Sequence, residues 1–189
     1  MNNLIKTLQK KFPRGAPFDS SALHERGISN DLINQYVRSG WLERLGRGVF
    51  MHAGDTLYRD AALVYLESKI EGLHIAAKSA LARHGYQQNL SPVAVPIVWG
   101  TAQGRLPNWF TARFACRYSG SQLFETSADP GAGLLRLPEA PNGPLVAEPE
   151  RALLELLSEV GVHQELEEAR LIMETMRQIR TKRLLHWLN

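Results

Sequence analysis

Asn34, Gln35 and Arg38, followed by Arg44 and Arg47, are residues whose types and spacing suit one defined chemistry. A carboxamide donates and accepts at once, which matches the edge of adenine, while an arginine matches guanine or a phosphate oxygen. The amides lie in SNDLINQYVRSG (29–40) and the two arginines in GWLERLGRGVF (40–50). Ser29 and Asn30 add short polar side chains at the start of the first stretch. An ordinary surface helix would carry Glu and Lys there instead. Asp31 suits a polyanion badly, unless it serves the positive end of a helix dipole or accepts from a cytosine amine.

Other chemistries fail on spacing. The six histidines (His24, His52, His74, His84, His163 and His186) stand at no metal-ligand interval from each other or from carboxylates. His74 and His84 read as surface or helix-end residues. GTAQG at 100–104 lacks the phosphate-loop spacing. SGSQLF at 119–124 invites comparison with the Gly-Ser of nucleotidyltransferases, but only Asp129 follows where two close carboxylates would have to hold magnesium. The residues therefore point to no enzyme, metal or cofactor. Cys116 is the single cysteine, so no internal disulfide forms, and a lone cysteine is expected to be a small buried apolar residue. Glu165, Glu167, Glu168 and Glu174 read as a solvated acidic face.

The elements that position the polar residues follow from apolar spacing. Leu4, Ile5, Leu8 and Phe12 mark a first helix, ended by PRG at 13–15. Asp19 or Ser20 caps a second helix, which stops at Gly27. Ser29 caps a third, in which Leu32, Ile33, Tyr36 and Val37 form the buried side and Gly40 the stop. Trp41, Leu42 and Leu45 then read as a strand packing back on the helices. Gly46 and Gly48 permit a turn at positive φ that carries Arg47 at its tip, and Val49 and Phe50 return to the core. Helices and ribbon together make a winged helix-turn-helix, with the third helix suited to a major groove and the wing to the flanking backbone. A winged helix can also be a protein–protein module, docking through acidic C-terminal helices, and the residues leave that alternative open.

Charge is distributed in keeping with the first reading. The chain carries a formal +3, but residues 1–52 hold eight basic side chains (Lys6, Lys10, Lys11, Arg14, Arg26, Arg38, Arg44, Arg47) against four acidic ones (Asp19, Glu25, Asp31, Glu43). Such a segment commonly meets a polyanion. No apolar run approaches the roughly 18 residues of a membrane span. The start, MNNLIKTLQKKF, is too polar for a signal peptide, so a cytoplasmic protein is expected.

Beyond MHAG at 51–54 the pattern predicts helices over 57–70 and 73–83, strands over 91–100 and 110–119, extended pieces over 131–149 and helix from Glu148 onward. The expected fold class is α+β. A winged helix-turn-helix over 1–53 precedes a mixed α/β domain over 54–189 that ends in helices.

With these motifs in place, the chain resembles AbiEi-type antitoxins of type IV toxin–antitoxin systems. GIS before a short helix and then GWLERLGRGVF is similar to their winged helix, with Phe50 where tyrosine is usual. KSALARHGY (78–86) is similar to their small-residue helix ending in His-Gly, and AEPERALLELLSEV (147–160) to their Pro-Glu-Arg helix start. The resemblance implies a transcriptional repressor that binds inverted repeats in its own promoter on double-stranded DNA. It also implies an antitoxin that counters a nucleotidyltransferase-like toxin without a stable complex. DNA contact would fall on the third helix, through Ser29, Asn30, Asn34, Gln35 and Arg38, and on Arg44 and Arg47 of the wing. It implies more helix beyond Asn189 than this sequence carries, and no catalytic residue.

Overall fold

The structure is a computed structural model that describes residues 8, 11–86, 95–101, 104–121, 123–124 and 131–188. The chain divides into two compact units. One comprises residues 1–66 with 107–114, the other 67–106 with 115–189. The first unit thus continues past the expected boundary at residue 53.

In the first unit, β1 (Phe18–Asp19) precedes α1 (Ser20–His24) and α2 (Asn30–Arg38), then β2 (Leu42–Gly46) and β3 (Val49–His52). The sheet order is β1-β3-β2, with both pairings antiparallel. The third strand was not expected. Two residues carry no periodicity of their own, and β1 forms because Phe18 pairs with Phe50 and Asp19 with Val49.

Helix ends follow the expected caps. Asp19 accepts from the Ala22 N–H at 2.9 Å and Ser29 from the Leu32 N–H at 3.3 Å, each satisfying a donor the helix leaves open. At the end of α2, Trp41 N–H donates to the Tyr36 carbonyl and Gly40 N–H to Val37. This Schellman arrangement needs a left-handed residue, and Gly40 supplies it with φ +72.

The core between helices and sheet holds Leu8, Phe12, Phe18, Leu23, Ile28, Ile33, Tyr36, Leu42 and Phe50, with Phe12 stacked on Phe18 at 4.2 Å. Leu8 and Phe12 are the described members of the first predicted helix stripe; Leu4, Ile5, Lys6 and Lys10 lie outside the described residues. Leu42 and Leu45 are both buried although an odd interval separates them. The β2–β3 register slips between Arg44 and Gly46, and Leu45 is buried at that bulge without being a member of the helix–sheet core. Trp41 does not pack back as expected and stays 45% exposed, since the helix-ending turn carries it. The unit is completed by α3 (Arg59–Glu67), whose last residue begins the second unit, and by α5 (Asn108–Thr111), where Trp109 meets Tyr65 and Phe110 edge-on.

The second unit is built on a five-stranded mixed sheet in the order β6-β5-β4-β8-β7. The strands are β4 (His74–Ile75), β5 (Ile97–Trp99), β6 (Arg117–Ser119), β7 (Leu134–Leu135) and β8 (Val146–Ala147). Its helices are α4 (Ala77–Arg83), α6 (Pro149–Ser158), α7 (Leu166–Thr175) and α8 (Thr181–Leu188).

Three expectations fail here. The helix predicted over 73–83 begins as strand β4, because His74 and Ile75 pair with Trp99 and Val98. The strand predicted over 110–119 is helix α5 followed by the short β6. In that segment Trp109 and Phe110 are buried as consecutive residues, which alternation cannot express. Cys116 is half-buried rather than a core residue. Of the strand predicted over 91–100, residues 91–94 lie outside the described residues.

Candidate nucleic-acid interface

On α2, burial of Ile33 and Tyr36 turns Asn30, Asp31, Asn34, Gln35 and Arg38 outward. Asn30, Asn34 and Arg38 follow at intervals of four and form one stripe, with Asp31, Gln35 and Ser39 beside it. Asp31, Gln35, Arg38 and Ser39 line a shallow open depression. Ser29 keeps its Oγ on the helix cap. Asp31 lies in the first turn, where the helix dipole favours a negative charge.

The wing is a two-residue turn, Arg47-Gly48, between β2 and β3. Its two glycines have different reasons. Gly48 sits at φ +71, the left-handed region a side chain resists. Gly46 does not have positive φ, against expectation. A Cβ there would come within 2.8 Å of Cδ1 of Trp109, so this glycine makes room for an indole.

Arg47 is exposed at the tip. Arg44 is exposed too, and it is held. Its guanidinium lies 5.0 Å from the centre of the Phe50 ring, the residue opposite it in the ladder. Its Nη2 donates to Oδ1 of Asn34 at 3.0 Å. Wing and helix are thereby joined on one face of the unit. At the other end of the stripe, Nε2 of His24 lies 3.0 Å from Oδ1 of Asn30. Among the described residues, the side chains of Asp31, Gln35, Arg38 and Arg47 meet no hydrogen-bonding partner.

Spacing in the sequence located the seven candidates but not their connections. The pairings of Asn34 with Arg44 and Asn30 with His24 arise from the approach of separate elements, and no signal in the sequence announces them.

In the second unit three buried titratable side chains, His74, Arg151 and Glu155, are tied together. His74 is 2% exposed and far from the surface role expected of it. Its Nδ1 meets the Gly72 carbonyl at 2.6 Å and its Nε2 meets Oε1 of Glu155 at 2.9 Å. Glu155, 1% exposed, also accepts from Nε of Arg151 at 2.9 Å and from the Ala77 N–H at 3.0 Å. Burial pushes the Glu155 pKa up, but the His74 charge and hydrogen bond, Arg151 and the Ala77 N–H outweigh it, and the carboxyl sits below its ordinary value.

Ala77 has φ +47, so α4 opens on a strained residue whose N–H the buried carboxylate holds. The neighbouring cavity, lined by His74, Trp99 and Thr101, has a volume of about 20 Å³, space for about one water. Glu168, expected on a solvated face, accepts from Lys78 and Gln164. Among the described residues no three His, Cys, Asp or Glu side chains gather as a metal site. No helix of the described residues is long and apolar enough to cross a membrane.

A helix-turn-helix with a three-stranded wing sheet defines the first unit as a winged-helix module. Residues 1–92 match the family model described as transcriptional regulator, AbiEi antitoxin N-terminal domain. Residues 94–189 match the one described as transcriptional regulator, AbiEi antitoxin, type IV TA system. The chain belongs to the AbiEi family of antitoxin transcriptional regulators of type IV toxin–antitoxin systems. No curated protein matches it. Among solved structures, the RV2827C protein from Mycobacterium tuberculosis has a similar fold, at TM-score 0.61 and 16% identity over 99% of this chain and 70% of that one.

Proposed function

We propose that the first unit is a cytoplasmic DNA-binding head that represses transcription from the chain's own promoter. In this reading α2 enters the major groove and the wing rests on the flanking phosphates. Ser29, Asn30, Asn34, Gln35 and Arg38 meet the groove, and Arg44 and Arg47 meet the backbone. The operator is an inverted repeat. The second unit, residues 67–106 with 115–189, carries the antitoxin role expected of the domain after the winged helix, against a nucleotidyltransferase-like toxin and with no stable complex between the two.

The observation that carries this reading is the Arg44–Asn34 hydrogen bond, which puts wing and helix on one exposed face. Family membership supports the regulatory role. A forked cation on a glycine turn can approach phosphate oxygens closely, and such contacts fix register without reading sequence.

Gel shifts of the promoter DNA against random duplex at two salt concentrations test it. Tighter binding to the promoter, weakening steeply with salt, is expected. Equal affinity for both duplexes at moderate salt would remove the repressor claim. A stoichiometric protein complex without any DNA retardation would make the winged helix a protein-interaction module instead.

A further inference from the structure

Resting on the proposed DNA-binding reading of α2, we infer that Arg44 sets the base preference of Asn34, so that this amide selects guanine in the groove rather than adenine. A guanidinium has only donors, so the atom of Asn34 that meets Arg44 at 3.0 Å is the oxygen, and the amide is fixed in that orientation. Arg44 is itself pinned over the buried Phe50 ring.

An asparagine reading adenine must accept from the N6 amine while donating to N7. Here an amine approaching Oδ1 of Asn34 meets a cation already on that oxygen. An acceptor approaching Nδ2 meets the opposite situation. The guanidinium polarises the amide and makes its N–H groups stronger donors, and Arg38 stands one turn further along the same stripe. Asn30 lies one turn before Asn34 on the same stripe, 3.0 Å from Nε2 of His24, a nitrogen that can donate or accept and so does not fix the Asn30 amide. Asn34 and Arg38 thus offer donors along the stripe. Guanine offers two adjacent acceptors, N7 and O6, whereas adenine sets an amine beside its N7. Asp31, on the neighbouring stripe, is the acceptor that suits the amine of the paired cytosine.

The experiment is selection from a randomised duplex library at moderate salt with the full chain and with N34A, R44M and R47A. R44M keeps an aliphatic stem over Phe50 and removes the donor, and N34A alters only an exposed side chain. Wild type is expected to enrich a guanine column that N34A erases, with a loss of roughly 5- to 150-fold in preference at that position. R44M is expected to raise adenine in the same column, whereas R47A lowers binding evenly over all sequences. An Asn34-dependent column that is adenine, or no column changed by N34A, overturns the inference and leaves the proposed function standing. So does a guanine column that R44M leaves unchanged. Wild type selecting no sequence over the library would sink the proposed function, and this inference with it.

Discussion

Arg47 and Arg44 are both exposed arginines of one hairpin, yet they stand in different situations. Arg47 meets no partner among the described residues, whereas Arg44 is committed to Asn34 and the Phe50 ring. Arg47→Ala should therefore weaken DNA binding about equally for all sequences and reduce the slope of log affinity against log salt by about 1. A salt titration of promoter and random duplex measures both effects. Ser29 has a double place, at the edge of the proposed interface and on the cap of α2. Ser29→Ala removes the acceptor for the Leu32 N–H and should cost about 1 kcal/mol of stability, read from denaturant unfolding of the full chain. A Ser29→Asp variant that restores stability while weakening DNA binding would separate the cap from the interface.

The wing as an element depends on a contact distant in sequence. Gly46 leaves space for Trp109, which α5 carries back to the first unit after a long excursion of the chain. Gly46→Ala should destabilise the hairpin, by about 1–3 kcal/mol for an overpacked site, because the clash at 2.8 Å is with an indole ring held between Tyr65 and Phe110. In a Trp109→Ala background, Gly46→Ala should cost less than it does in the wild type, and a double-mutant cycle of unfolding free energies reads the coupling. Gly48→Ala has no such rescue, since its cost lies in the backbone at φ +71.

The second unit, and with it the stability of the whole molecule, draws on a buried ion cluster. Glu155 joins α6 to β4 through His74 and to α4 through the Ala77 N–H. Glu155→Gln should cost about 3–5 kcal/mol, because it leaves His74 and Arg151 buried without their counter-charge. The sign of the pH effect follows from the direction of the shift. A folded-state pKa below the ordinary 4.5 means that the unfolded chain binds the proton more readily. The contribution is complete above about pH 4.5 and drains away as pH falls through the lower folded value. Unfolding midpoints measured from pH 7 down to acid should fall for the wild type, and fall less steeply for Glu155→Gln.

The amino-acid sequence by itself determined the local features: a cap at Asp19 or Ser20, of which the structure uses Asp19, the cap at Ser29, the stop at Gly40, the buried side of α2, the hairpin turn and the proline start of α6. Each depends on neighbours within a few residues, where backbone sterics and 3.6-residue periodicity act directly. It also nominated seven polar and basic residues, whose contact with DNA belongs to the proposed function. Only the tertiary structure decided the rest. Strand β1 exists because Phe50 lies beside Phe18; β4 is a strand because Trp99 and Val98 pair with it. Gly46 answers to Trp109, and Asn34 to Arg44. His74 is buried with Glu155, a residue far along the chain, although its own neighbours suggested a helix end. Two-residue strands and side-chain pairings between separate elements have no period to reveal them. Their free energy comes from surfaces that meet only once the chain has folded.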